Sequence, residues 1–229
     1  MNDRLWWKIV PGTRSQRDDM AGVPAGILTA GARFHHESMP QEVAMLLPTS
    51  HGPARLIDEV VENPWGCEGV MLGLFLGGPF LNVALENGRL HRSGITWIAN
   101  LPSVEQQDLE FSRQLSDVGL DLDHELNSLG QFKAGGFHTA AVVADARGAT
   151  AAAGVEPDAI IVMPRVVDFA AGFPSLRQRS TAAQAAAQAA RLAGWSGLLL
   201  GLGEAREADN EGLWPNGLDA LVCRPEVVG

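Results

Sequence analysis

Eight short apolar runs recur along this chain, at residues 5–10, 26–30, 69–74, 95–99, 139–143, 159–163, 197–200 and 218–222, each followed by a glycine, proline or polar loop. Runs of that length bounded by turn residues read as buried strands. The stretches between them have helical character, and strands alternating with helices make βα units and a parallel sheet. Residues 53–62 place Ala54, Ile57, Val60 and Val61 on one helical face and Asp58, Glu59 and Glu62 on the other. A second helix starts at Ser103 or Glu105 and runs to about Asp117, with Gly119 as its stop. A third spans 180–193, with Ser180 or Thr181 as cap, alanines as its body and Gly194 as its end. Eight successive units of one kind fit a closed barrel better than an open sheet. The expected fold is therefore α/β, a (β/α)8 TIM-type barrel forming a single domain over residues 1–229. A doubly wound sheet is the alternative.

Composition supports a soluble, cytoplasmic reading. Hydrophobic residues make up 46% and charged residues 19% of the chain, enough apolar surface to offset the entropy of ordering. The net charge of −10, with no local Lys/Arg cluster to reverse it, repels phosphate backbones and argues against nucleic acid as a partner. The longest apolar runs, such as 69–76 and 198–202, fall short of the ~20 residues that span a bilayer, so no membrane role is expected. The first ten residues lack an apolar core ending in a small-residue cleavage site. The two cysteines, Cys67 and Cys223, belong to no metal-binding spacing and read as buried thiols beside strands. Trp6, Trp7 and Trp214 are candidates either for a contact in a homo-oligomer or for plugging the ends of a barrel.

In a barrel of this kind the loop after each strand faces the mouth, so polar residues there take priority. After the second strand, Arg33-Phe34-His35-His36-Glu37 combines a cation, two imidazoles and a carboxylate, a set suited to an anion or a metal or simply to a solvated loop. After the fourth, Asn100 precedes a helix start at Ser103, which suits an oxyanion but also suits a turn and a cap. Asp121-Leu122-Asp123-His124-Glu125 gathers three carboxylates around one histidine, for acid–base work, for a divalent cation, or as the acidic first turn of a helix. After the sixth strand, Arg165 can grip an anion and Asp168 handle a proton, or the two can pair with each other. After the seventh, Gly201-Leu202-Gly203-Glu204 matches a phosphate-cradling turn only loosely, because Glu204 repels phosphate. The chain has no GxSxG, HExxH, CxxC or dinucleotide motif and no tyrosine.

These segments, taken in order from about Ile27, resemble the phosphoenolpyruvate hydrolase-like TIM-barrel family, relatives of the phosphoenolpyruvate mutase/isocitrate lyase superfamily. The run from Ile95 through Asn100-Leu101-Pro102-Ser103-Val104 resembles that family's strand ending in an Asn-aromatic-Pro-Thr-Val turn. Phe111-Ser112-Arg113-Gln114-Leu115, Val118-Gly119-Leu120 and Leu122-Asp123-His124-Glu125 follow at similar spacing. Ala144-Asp145-Ala146-Arg147, Ala153-Gly154-Val155 and Asp158-Ala159-Ile160-Ile161-Val162 resemble its helix-to-strand passage, and Gly31-Ala32-Arg33-Phe34 its arginine turn. The chain departs from the pattern after the third strand, where Phe75-Leu76-Gly77-Gly78-Pro79 replaces polar residues, and after the sixth, where Met163 and Arg165 stand near the position of a histidine.

The resemblance implies a lyase or hydrolase acting on a C–C, C–O or C–P bond next to a carbonyl, through an enolate-like intermediate. On that reading Arg33 and Arg165 bind the substrate's anionic group, and Asn100 stabilises the oxyanion. His35, His36 or Glu125 moves protons. Phe75, Asp168 and Glu204 complete the substrate contacts. The apolar loop at Phe75 points to a larger, greasier oxo-acid or β-dicarbonyl than phosphoenolpyruvate, as in secondary metabolism. Magnesium is the candidate cofactor, although the third-strand loop offers it no carboxylate. The competing class is a ligand-sensing or interaction barrel that has lost its polar site.

Overall fold

The computed structural model describes residues 6–12, 22–30, 39–49, 52–63 and 69–225. Eight strands close into one barrel in sequence order: β1 (Trp6–Pro11), β2 (Gly26–Leu28), β3 (Val70–Gly73), β4 (Trp97–Ala99), β5 (His138–Val143), β6 (Ala159–Val162), β7 (Leu198–Gly203) and β8 (Ala220–Cys223). Every strand expected from the apolar runs is present. Among the described residues seven α-helices accompany them: α1 (Gln41–Leu46), α2 (Ala54–Glu62), α3 (Val83–Arg92), α4 (Leu109–Asp117), α5 (Leu122–Ala134), α6 (Ala146–Ala153) and α7 (Leu176–Leu192).

The strand directions correct the expectation of a uniformly parallel barrel. From β2 to β8 every neighbouring pair is parallel, but β1 runs antiparallel to both β2 and β8, with Trp6 opposite Leu28 and Lys8 opposite Cys223. The barrel is therefore mixed. Seven strands still deliver their C-terminal ends to one rim, where β1 contributes its start. The burial of β1 alternates, with Trp7 and Ile9 inside and Lys8 exposed, as expected of a strand covered on one face only.

Alternation along each strand sorts the core into two layers. Inside the barrel, bulky Trp7, Ile9, Ile27, Met71 and Trp97 on β1 to β4 share one cluster with small residues of other strands, Ala140, Ala159 and Ala220. Bulk against alanine fills the interior at the density of a packed core. Outside, Leu72, Ile98, Val143, Ile160 and Leu199 meet α2, α3, α5, α6 and α7. The closest helix pair, α6 and α7, packs through alanines such as Ala149, Ala152, Ala186 and Ala190. No helix covers β8. Trp214 lies there instead, against Leu221, Cys223 and Val10, with its indole N–H donated to the Glu207 carbonyl at 2.6 Å. Trp7 and Trp214 are thus spent on internal packing, which removes them as candidates for a subunit contact.

Side-chain caps set the helix starts. Asp108, Asp121 and Asp145 accept first-turn N–H groups of α4, α5 and α6, and Ser175 with Gln178 forms a capping box on α7. The helix expected from Ser103 or Glu105 is split in two. Ser103 caps only a 3-10 turn over Val104–Gln106, and Asp108 restarts the chain as α4. The helix expected at 180–193 begins earlier, because Ser175 rather than Ser180 supplies the cap.

At the rim, α1 lies across the barrel mouth. Val43, Met45 and Leu46 join Leu101, Met163 and Phe169 in the same apolar cluster as the barrel interior. The buried Glu42 carboxylate holds the helix down through two contacts to Arg224, just past β8, at 3.1 and 3.0 Å. No helix among the described residues is long and apolar enough to cross a membrane.

Candidate functional site

The polar groups of the rim concentrate beyond β4, β5 and β6. Asn100 leaves β4 fully buried and joins β4 to β5 in place of a ladder bond. Its Oδ1 accepts the Val142 N–H at 2.7 Å, and its Nδ2 donates to the Val142 carbonyl and to Glu125 Oε2, each at 3.3 Å. Both amide hydrogens are therefore engaged, leaving none aimed at an oxyanion.

Glu125, on the inner face of α5, is the hub of this network. Besides Asn100, its Oε2 accepts from the Ser103 hydroxyl at 2.8 Å and the Val104 N–H at 3.1 Å. Its other oxygen is buried with no partner among the described residues. Burial raises the carboxyl pKa, the three donors lower it, and the nearby Glu105 raises it again; burial wins, and the group is pushed up to about 8. Glu125 is then a neutral acid at neutral pH. It pins the Asn100–Val104 turn to α5.

Glu105, two residues past Ser103, points the other way. Its Oε2 accepts the Ala144 N–H at 3.0 Å at the end of β5. The carboxyl rests on Gly148, where a Cβ would stand 2.7 Å from the Glu105 carboxyl carbon and closer still to Oε2. Burial pushes the Glu105 pKa up, the Ala144 N–H opposes it, Asp145 adds to it, and Arg165 and Arg147 pull it down; the net direction is up. Asp145 goes the other way. Burial alone would raise it, but the Gly148 N–H and the Arg165 guanidinium, 2.5 Å from its Oδ2, hold it below the usual carboxylate range.

Beside this network an open cleft of about 280 Å³ lies between the β4–α5 connection and the starts of α5 and α6. Its polar lining comprises Glu105, Arg147 and Arg165, with Asp121 and Asp123 at the start of α5 and Ser112 and Ser116 from α4. Gln107, also in the wall, ties the cleft to α1 by donating to the Leu46 carbonyl at 2.8 Å. The site thus lies beside the barrel axis, which α1 occupies.

Of the residues singled out in the sequence, Asn100 and Glu125 are in direct contact, and Arg165 reaches the same neighbourhood through Asp145 and Glu105. Asp168 does not pair with the Arg165 guanidinium; its Oδ2 accepts the Arg165 backbone N–H at 2.9 Å and caps a 3-10 turn. Phe75 lines a separate, small pocket with Ala30, Thr49, Pro53 and Pro102. Glu204, past β7, pairs with Arg206 and is remote from the cleft lining. Arg33, His35 and His36, with Cys67, lie outside the described residues. Among the described residues no cluster of three or more His, Cys, Asp or Glu is arranged to hold a metal ion, so the acidic run 121–125 does not fit a magnesium centre: Asp121 caps α5, and Glu125 faces inward.

Sequence reasoning passed over Glu105, Asp145 and Arg147 as site residues. A signal was present in Gly148, a glycine at the start of the alanine-rich α6, where close approach by another group accounts for the missing methyl. No protein-family model matches this chain, and no curated protein matches it.

Proposed function

We propose that this chain is an acid–base enzyme, a lyase or hydrolase that breaks a bond next to a carbonyl in a small oxo-acid or β-dicarbonyl compound. One observation carries the reading: Glu105, its pKa raised by burial, stands in the wall of the same cleft as Arg147 and Arg165. A raised carboxyl pKa brings the group nearer to neutral pH, where it can both accept and return a proton. Arg147 and Arg165 bind the substrate carboxylate. Glu105 takes the proton α to the carbonyl, the electron pair moves onto the carbonyl oxygen, and a guanidinium stabilises the enolate. When the enolate collapses, the carbonyl re-forms, a C=C bond forms between the α and β carbons, the bond from the β carbon to its substituent breaks, and the protonated Glu105 gives its proton to that leaving group.

Asn100 and Glu125 are positioning residues in this scheme, holding the turn that carries Glu105. The proposal keeps the barrel as a divergent (β/α)8 barrel of the phosphoenolpyruvate hydrolase-like kind, acting in the cytoplasm. Arg33, His35 and His36, on the segment after β2, remain candidates for a second anion contact and proton transfer.

A panel of β-dicarbonyl and oxo-acid compounds, screened by thermal shift and then by turnover, tests the assignment. With any compound turned over, Glu105→Gln should lower kcat by about 100-fold or more, the usual contribution of a general acid–base group, while keeping binding. Unchanged turnover in Glu105→Gln, or in Arg165→Ala, refutes it. A second reading, a non-catalytic ligand sensor, draws on the apolar plug of α1 in the barrel mouth. It predicts ligands that raise Tm and are recovered unaltered.

A further inference from the structure

The cleft is lined by groups of both charges, Arg147 and Arg165 together with Glu105, Asp121 and Asp123. Arg147, in the first turn of α6, is exposed, and no acidic group among the described residues pairs with its guanidinium within 4.0 Å. Arg165 gives one nitrogen to Asp145 and retains further N–H groups. At the start of α5, Asp121 spends Oδ1 on the His124 N–H at 3.2 Å, which accounts for it as a cap. Capping does not account for Asp123: its exposed side chain makes no hydrogen bond or ion pair among the described residues, yet it lines the cleft. A pure anion would meet Asp121, Asp123 and Glu105, and a pure cation would meet two guanidiniums. Each is attracted by some of the lining groups and repelled by the others.

Resting on the reading of this cleft as the substrate site, we infer that its ligand is zwitterionic, with a carboxylate between Arg147 and Arg165 and an ammonium group facing Asp123. The cleft, about 280 Å³, sits at the lower edge of the usual range of ligand sites, ~300–1,000 Å³, and suits a single small metabolite. Combined with the carbonyl chemistry proposed above, the substrate class is an amino-oxo acid rather than a simple oxo-acid. Asp123 is then a specificity determinant. Arg147 is the carboxylate anchor least committed to the protein itself.

Calorimetric titration of the whole chain with aminolevulinate, levulinate and butylamine separates the possibilities, because the three probes carry both charges, the anion alone and the cation alone. Aminolevulinate should bind about two- to fivefold more tightly than levulinate, the scale of one partly exposed charge pair. Asp123→Asn should erase that preference, weakening aminolevulinate while levulinate binds as tightly as before or more tightly, and Arg147→Ala should weaken both acids about fivefold or more. Equal binding of the two acids to the wild-type chain, or a preference that survives Asp123→Asn, overturns the zwitterion assignment while leaving the cleft as an oxo-acid site. No binding of either acid, or binding indifferent to Arg147→Ala, overturns the cleft reading as well.

Discussion

Replacing Glu125 by glutamine should remove a pH dependence that this one buried carboxyl imposes on stability. In the unfolded chain the group titrates at its ordinary 4.5, and in the fold it is pushed up to about 8. Between those values the native state holds a proton that the unfolded state has released. The unfolded state therefore binds fewer protons, and stability falls as pH rises through this window. The slope is about 1.4 kcal/mol for each pH unit, with a ceiling of about 5 kcal/mol across the whole interval. Glutamine keeps an oxygen for Asn100, Ser103 and Val104 but places an NH2 where the partnerless oxygen lies, at a cost of about 1–3 kcal/mol for a buried unsatisfied donor. The variant should thus be the less stable protein near pH 5 and gain on the wild type as pH rises, with the gain levelling off above about pH 8. Urea denaturation of both proteins at intervals over that range measures it, and the titration of Glu105, present in both, cancels in the difference. Parallel stability profiles would show that Glu125 is ionised in the fold and that its three donors, not burial, govern it.

Gly148→Ala should separate stability from activity: the methyl favours the α6 helix by up to about 1 kcal/mol but drives the Glu105 carboxyl off the Ala144 N–H, so any turnover should collapse while Tm moves little. A variant with unaltered turnover would dissociate Glu105 from the chemistry. Arg179→Ala should cost about 3–5 kcal/mol in denaturant unfolding, because it leaves the buried Glu207 carboxylate without its two-pronged partner at 2.7 and 2.8 Å. A loss under 1 kcal/mol would mean that water reaches Glu207. The same pair carries acid sensitivity. Against the burial that would raise it, Arg179 holds Glu207 below its ordinary range, so its contribution is present above that range and is lost as pH falls through the lowered value. The wild-type chain should therefore lose more stability on acidification than Glu207→Gln, measured by denaturation in steps below about pH 5.

How much of this was legible in the sequence depends on which physical signal each feature leaves. Strands leave a strong one: runs such as 159–163 and 139–143 are apolar on both faces because helices cover the outside and packed side chains the inside, and all eight emerged. Direction leaves almost none, since a strand reads alike from either end. Yet β1 did carry a hint in Trp7-Lys8-Ile9, where an exposed lysine between two core residues is out of place in a strand buried on both faces. Helix starts were misplaced where two caps compete, as with Ser103 against Asp108 and Ser180 against Ser175, because the choice rests on tertiary contacts such as the Ser103 hydroxyl bonding Glu125. Of the site, Asn100 and Arg165 stood out because polar groups follow strand ends, and Glu125 because it belongs to a run of carboxylates around His124. Glu105 and Arg147 did not, since their chemistry arises only when separate connections fold against one another across Gly148.

The antiparallel seam between β1 and β8 also bears on how the molecule is made. Lys8 must find Cys223, and Pro11 must find Ala220, so the ring cannot shut until β8 has left the ribosome. Until then β1 and β7 each offer an unsatisfied edge to any passing strand. Chains cut short before β8 should consequently be recovered as aggregates rather than as smaller folded bodies, and slow translation of the final strand should lower the yield of native protein.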